Sequence, residues 1–218
     1  MRASLLRRIA GAFAVVAAAA AYAAPPTPER VMELCNDVES PAHCGRKVEA
    51  EQLKALPNLA TRAGDTLKVS LYPSGTREFA DSLATDAEKS YALWDYWSPV
   101  NAVVLFVASG ETISYAVLQR ATGTLTAVPA EPILAQDRQR VAVADFCPKQ
   151  CANELSVWRV TREGLVRDLV YKPPVAWTDV TVAWKDPDTL TVSYQAPGAD
   201  APRTVERKLT AADWRKAS

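Results

Sequence analysis

Histidine is almost missing from this 218-residue chain, with His43 the single one. Its isolation excludes mechanisms that need two or three imidazoles, as a zinc set or as an acid–base pair. Glycine is scarce too, eight in all, and none falls into the glycine-rich pattern whose backbone N–H groups cradle a phosphate. Gly-x-Ser-x-Gly, Ser-x-x-Lys and His-Glu-x-x-His patterns are absent, which removes the common nucleophile and metalloprotease arrangements. Basic excess is lacking as well: 25 Lys and Arg face 25 Asp and Glu. Scattered, balanced charge gives no footprint for phosphate neutralisation, so nucleic acid is not an expected partner.

What is present at the amino end is a leader. Arg2, Arg7 and Arg8 precede an apolar stretch from Ile9 through Ala21, and Ala21-Tyr22-Ala23 supplies the small-x-small pattern of a cleavage site. Residues 1–24 therefore read as a secretory signal peptide. The apolar stretch falls short of the ~20 residues that a membrane-spanning helix needs, and Pro25-Pro26 cannot extend a helix. Cys35, the first cysteine, lies beyond Glu29, Arg30 and Glu33, so it is not placed for lipid attachment. Removing three arginines leaves 22 basic against 25 acidic residues, a net charge of −3. The expected mature protein is exported to the periplasm or secreted, soluble, and not inserted in a membrane.

Cysteine usage agrees with export. Four cysteines form two close pairs, Cys35 with Cys44 and Cys147 with Cys151, and an even count outside the cytoplasm reads as two bridges of three possible connectivities. The local pairing is favoured, because Ser40-Pro41 and Pro148-Lys149-Gln150 supply the turns that each bridge would close. A zinc site using His43 is the competitor. Its ligand pairs are usually two to four residues apart, and eight residues separate Cys35 from Cys44. No metal and no cofactor are expected.

Thr27 followed by Pro28 is a helix start, cap and then first turn, and that helix is expected to run to about Val38. Ser40-Pro41 repeats the signal and opens a second helix through Leu53 and Leu56 that Pro57 stops. Residues 25–58 thus read as a disulfide-pinned helical hairpin, too small to stand alone and packed on the β region behind it. From residue 65 to 210 the period becomes alternating, with β-branched and aromatic runs at 66–72, 76–82, 90–97, 101–107, 112–119, 124–128, 139–145, 154–160, 165–171, 177–184, 189–195 and 203–209. Turn-sized gaps leave no room for crossover helices, so the strands form an antiparallel meander. Asn101–Val107 is apolar on both faces and reads as a central strand. Thr210 and Asp213 resemble a capping box opening a short C-terminal helix around Trp214, within a tail at 211–218.

Asp137-Arg138-Gln139-Arg140-Val141-Ala142-Val143-Ala144 and Lys185-Asp186-Pro187-Asp188-Thr189-Leu190-Thr191-Val192 share a shape, a turn followed by an alternating strand. Over residues 90–209 the chain resembles the blades of a β-propeller, which recur about every 40 residues. The resemblance implies small antiparallel sheets in succession. A closed propeller takes at least four blades, more than this β region holds, so a propeller-like or sandwich-like stack that does not close is the expected architecture. It carries no function with it.

For chemistry, a carboxylate pair is the one constellation the composition leaves open. Asp95, Glu111, Asp145, Glu154 and Asp179 lie nearest to strand ends. Six tryptophans suit either filled cores, as at Trp94, Trp158, Trp177 and Trp184, or an exposed aromatic platform. Strict alternation puts Trp94 and Tyr96 on one face of their strand and Trp97 on the other. Trp94, Tyr96 and Trp97, together with Lys149, Gln150 and Asn153 of the stapled loop, form the candidate binding surface. A rigid loop is a good recognition element because its ordering cost is met in advance. The expected function is a non-catalytic binding protein with another protein as partner, of inhibitor or toxin-immunity type. The alternative is a hydrolase, carbohydrate-active or other, working through two acids and exposed tryptophans.

Overall fold

The computed structural model describes residues 25–82, 84 and 88–217, so the leader lies outside the described residues. Thr27 caps α1 (Pro28–Cys35), its Oγ1 accepting from the Arg30 N–H at 3.3 Å. Ser40 does the same for α2 (Pro41–Ala55) toward the His43 N–H at 3.3 Å. Cys35–Cys44 bridges the two helices. The first helix ends at Cys35 and not near Val38: its short sequence buries no residue, and the disulfide together with Arg30–Glu51 holds it to α2 in place of a core face.

Four antiparallel sheets come next, and none closes into a barrel or ring. The first contains β1 (Ala60–Ala63), β2 (Thr66–Ser70) and β3 (Thr76–Ala80). The second is β4 (Ser90–Trp97), β5 (Ala102–Ser109), β6 (Thr112–Gln119) and β7 (Thr124–Val128) in sequence order. The third takes β8 (Pro132–Leu134), β9 (Arg140–Asp145), β10 (Glu154–Thr161) and β11 (Gly164–Tyr171), and the fourth β12 (Thr178–Asp186), β13 (Thr189–Gln195) and β14 (Arg203–Lys208). The chain end returns as β15 (Arg215–Lys216) to pair with β11, Val170 opposite Arg215. That strand replaces the expected C-terminal helix. One helical turn is a costly nucleus, whereas here Trp214 is buried in a core and its indole N–H donates to the Lys208 carbonyl at 2.9 Å.

Three cores fill the spaces between successive sheets. Leu67, Val69 and Phe79 meet Leu93, Leu105 and Leu118 between the first and second sheets. Trp94, Val104, Phe106 and Val117 meet Val141, Val143 and Leu165 between the second and third. Leu155, Val157 and Tyr171 meet Trp177, Trp184, Leu190 and Val192 between the third and fourth. β5 is buried along both faces from Ala102 to Ala108, so the doubly apolar run is a central strand as expected. Burying aliphatic and aromatic side chains at roughly 25 cal/mol per Å² is what makes such thin layers stable.

The free edge of β4 is covered by α2. Gly45 lies against β4 and β5 so closely that a Cβ there would come within 2.7 Å of Phe106 Cδ1 and 3.3 Å of Ala92 Cβ. One turn on, Glu49, 2 % exposed, accepts a hydrogen bond from the Leu93 N–H at 2.9 Å. Arg62 grips the same carboxylate, with Nη2 2.7 Å from Oε2, and Asp81 accepts from the Tyr91 N–H at 3.0 Å and pairs with Arg46. Two arginines and two acids thus close an edge that would otherwise invite pairing with another chain. Among the described residues no helix is long and apolar enough to cross a membrane.

Candidate functional site

β4 does not alternate strictly. Leu93 pairs with Leu105 and Asp95 with Val104, so Trp94 is the extra residue of a bulge. A bulge swaps the faces of the strand beyond it. Trp94 and Trp97 therefore enter the same core while Tyr96 packs on the other, which corrects the face assignment expected from alternation. Both tryptophans are buried, at 4 % and 7 % exposed, and offer no stacking surface. Tyr96 is half-buried and engaged: its hydroxyl lies 3.1 Å from Asn101 Oδ1 and 3.1 Å from Arg120 Nη1.

The bulge also aims Asp95 into a cleft of about 390 Å³ lined by Pro25, Pro26, Trp97, Glu131, Pro132 and Ile133 among others. Asp95 is 7 % exposed. Burial pushes its carboxyl up to about 6 against the pull of hydrogen bonds from the Tyr96 N–H, at 2.7 Å, and the Trp97 indole, and the nearby Glu131 charge adds to the rise. Glu131 is exposed as a residue, but its carboxylate end accepts from Trp94 Nε1–H at 2.8 Å, and desolvation raises it as well. The buried Tyr115 hydroxyl is pushed upward, first by desolvation and then by Glu131. No lysine or arginine acts on either acid among the described residues.

A second cleft, about 410 Å³, lies under the Cys147–Cys151 loop. Lys149 and Gln150, both exposed, line it together with Glu111 and Ile113 of the β5–β6 hairpin and with the buried Asp145. Ile113 is 44 % exposed and gives this cleft an apolar side chain among its charged and polar ones. Asp145 accepts from the Ala152 N–H at 2.9 Å and ties the loop's return to the end of β9. Gln150 at φ 70° and Asn153 at φ 51° take the left-handed conformation, which asparagine tolerates better than most residues. The half-buried Asn153 Nδ2 reaches the Cys151 carbonyl at 3.5 Å.

Of the acids expected near strand ends, the structure brings Glu111 and Asp145 to the loop cleft and Asp95 to the other. Glu154 is buried and paired with Arg167 and, at 3.4 Å, Lys172. Asp179 is exposed and apart from both clefts. His43 is exposed in the first turn of α2. Glu131 and Ile113 were not legible as site residues, because no local pattern ties a loop glutamate or a hairpin isoleucine to distant partners. Among the described residues no group of three His, Cys, Asp or Glu side chains is placed to hold a metal. Comparison with protein-family models, with curated proteins and with solved structures finds no match to this chain.

Proposed function

We propose that the chain is an exported, non-catalytic interaction protein whose contact surface is the cleft between the Cys147–Cys151 loop and the β5–β6 hairpin. The observation that carries this reading is that the stapled loop's Lys149 and Gln150 line one cleft with the exposed Ile113. An apolar anchor inside a charged and polar rim is the composition of protein contact sites, and the staple lowers the ordering cost of binding. A photo-reactive residue placed at Gln150 or Ile113 is expected to give one discrete crosslinked protein in the exporting cell. The same residue at Tyr72, exposed beside the first sheet, is expected to give none. Equal crosslinking from both places, or none from the loop, removes the proposal.

One observation favours the hydrolase alternative: Asp95, held near 6, shares a cleft with Glu131. The buried Trp94 and Trp97 deny that cleft a sugar-stacking wall. Hydrolysis of a glycoside panel that disappears in Asp95→Asn would put the alternative first.

A further inference from the structure

Asp95 is a buried carboxylate without a cation. Three other acids with buried side chains are paired, Glu49 with Arg62, Asp81 with Arg46 and Glu154 with Arg167, while Asp145 at the loop cleft, like Asp95, accepts from a backbone N–H. Asp95 and Glu131 have only N–H donors, two indoles and one amide, and after burial the Glu131 charge also opposes the ionisation of Asp95. A buried charge of this kind is costly until a partner of opposite sign reaches it. The cleft that holds it is lined by Pro25 and Pro26, which follow the small-x-small cleavage pattern of the leader after one intervening alanine.

We infer that the Asp95–Glu131 cleft is an ammonium site and that its occupant is the chain's own amino terminus, created when the leader is removed. The inference rests on the export reading. A signal peptidase adds water across the peptide bond behind Ala23 or Ala24; the leader keeps the new carboxylate, and the chain keeps the new amine, which takes up a proton at neutral pH. That ammonium is at most one residue from Pro25. It supplies the charge that the cleft lacks, and the two stiff prolines limit how far it strays. Export and the final electrostatic balance of the second core are then coupled: the precursor carries the uncompensated acids and the processed chain does not.

The test uses the exported chain with its terminal amine ¹³C-methylated, which preserves the charge, and follows the amine's titration by NMR. A free primary α-amine titrates at roughly 7.7–8.0, and for a chain that begins at Pro25, whose secondary amine is more basic, the Asp95→Asn/Glu131→Gln variant is the reference. An opposite charge within about 4–6 Å moves a group by about 1–3 pH units, so the expected midpoint lies at least about one unit higher, a tenfold gain in proton affinity. In Asp95→Asn/Glu131→Gln, which keeps both hydrogen-bond acceptors, the midpoint is expected to return to the ordinary range, with the far-UV spectrum confirming the fold. A midpoint that is ordinary in the unsubstituted chain, or identical in the double variant, overturns the assignment. So does methylammonium shifting the Trp97 indole signal equally in the free and Nα-acetylated chains, because the site is then open to other amines. Intact mass separates the two failures: a chain still beginning at Met1 overturns the leader reading as well, whereas one beginning at residue 24 or 25 with an ordinary amine overturns the cleft assignment alone.

Discussion

Glu49→Ala is the perturbation that best tests how the helical hairpin and the sheets are joined. The Glu49 side chain is 3 % exposed, accepts the Leu93 N–H of the β4 edge, and holds Arg62, itself only 13 % exposed. Truncation leaves a buried guanidinium short of its main partner, which costs about 3–5 kcal/mol in comparable buried pairs. The unpartnered Leu93 N–H is part of the same loss, since a single buried donor costs about 1–3 kcal/mol. Asp81 lies 3.9 Å from Arg62 Nη1 and relieves some of it, so about 3 kcal/mol is the working figure. A domain of this size loses about 2–4 °C in Tm per kcal/mol, so thermal unfolding followed by circular dichroism is expected to move down by roughly 10 °C. Glu49→Gln, which keeps an acceptor for Leu93, is expected to lose less. Glu49→Leu combined with Arg62→Met is expected to be more stable than the sum of the single changes, because the two sites are in contact. A Glu49→Ala midpoint within about 3 °C of the unsubstituted protein refutes the idea that this carboxylate closes the β4 edge.

Gly45→Ala is expected to destabilise by about 1–3 kcal/mol in urea unfolding although alanine is the better helix former, because the added methyl meets Phe106 and Ala92. Removing both disulfides is expected to lower the urea midpoint, with the nine-residue separation of Cys35 and Cys44 contributing more than the four-residue separation of Cys147 and Cys151, about 3 against about 2 kcal/mol. In Cys35→Ser/Cys44→Ser the amides of α1 should exchange with solvent first, since that helix buries no residue of its own. The Asp95 carboxyl rises from 3.8 to about 6 on folding, so the unfolded chain ionises first. The contribution of Asp95 to stability is therefore full below about pH 4 and lost as the pH climbs to about 6, by at most about 3 kcal/mol in an Nα-acetylated chain. Asp95→Asn should flatten that dependence in calorimetry across the same window.

The sequence by itself determined the local elements. Cap-then-proline signals at Thr27-Pro28 and Ser40-Pro41 started both helices where expected, and alternation with short turns placed the long strands within a residue or two of their observed ends. These are properties of neighbours along the chain, and neighbours are what a sequence displays. It also set the local disulfide pairing, because each pair brackets its own turn. β1 and β8 escaped notice, being four and three residues long, the latter opening on a proline. The tertiary structure alone decided the rest. A one-residue bulge at Trp94 reversed the faces of β4 and turned Asp95 into a cleft, and nothing in the local pattern marks an extra residue that only the partner strand reveals. Glu131 reached Trp94, Ile113 came to face the stapled loop, and Trp214 pulled the chain end into the third sheet. Each of those encounters depends on how separate sheets stack, and stacking is set by the shapes of three shared cores, which no single segment contains.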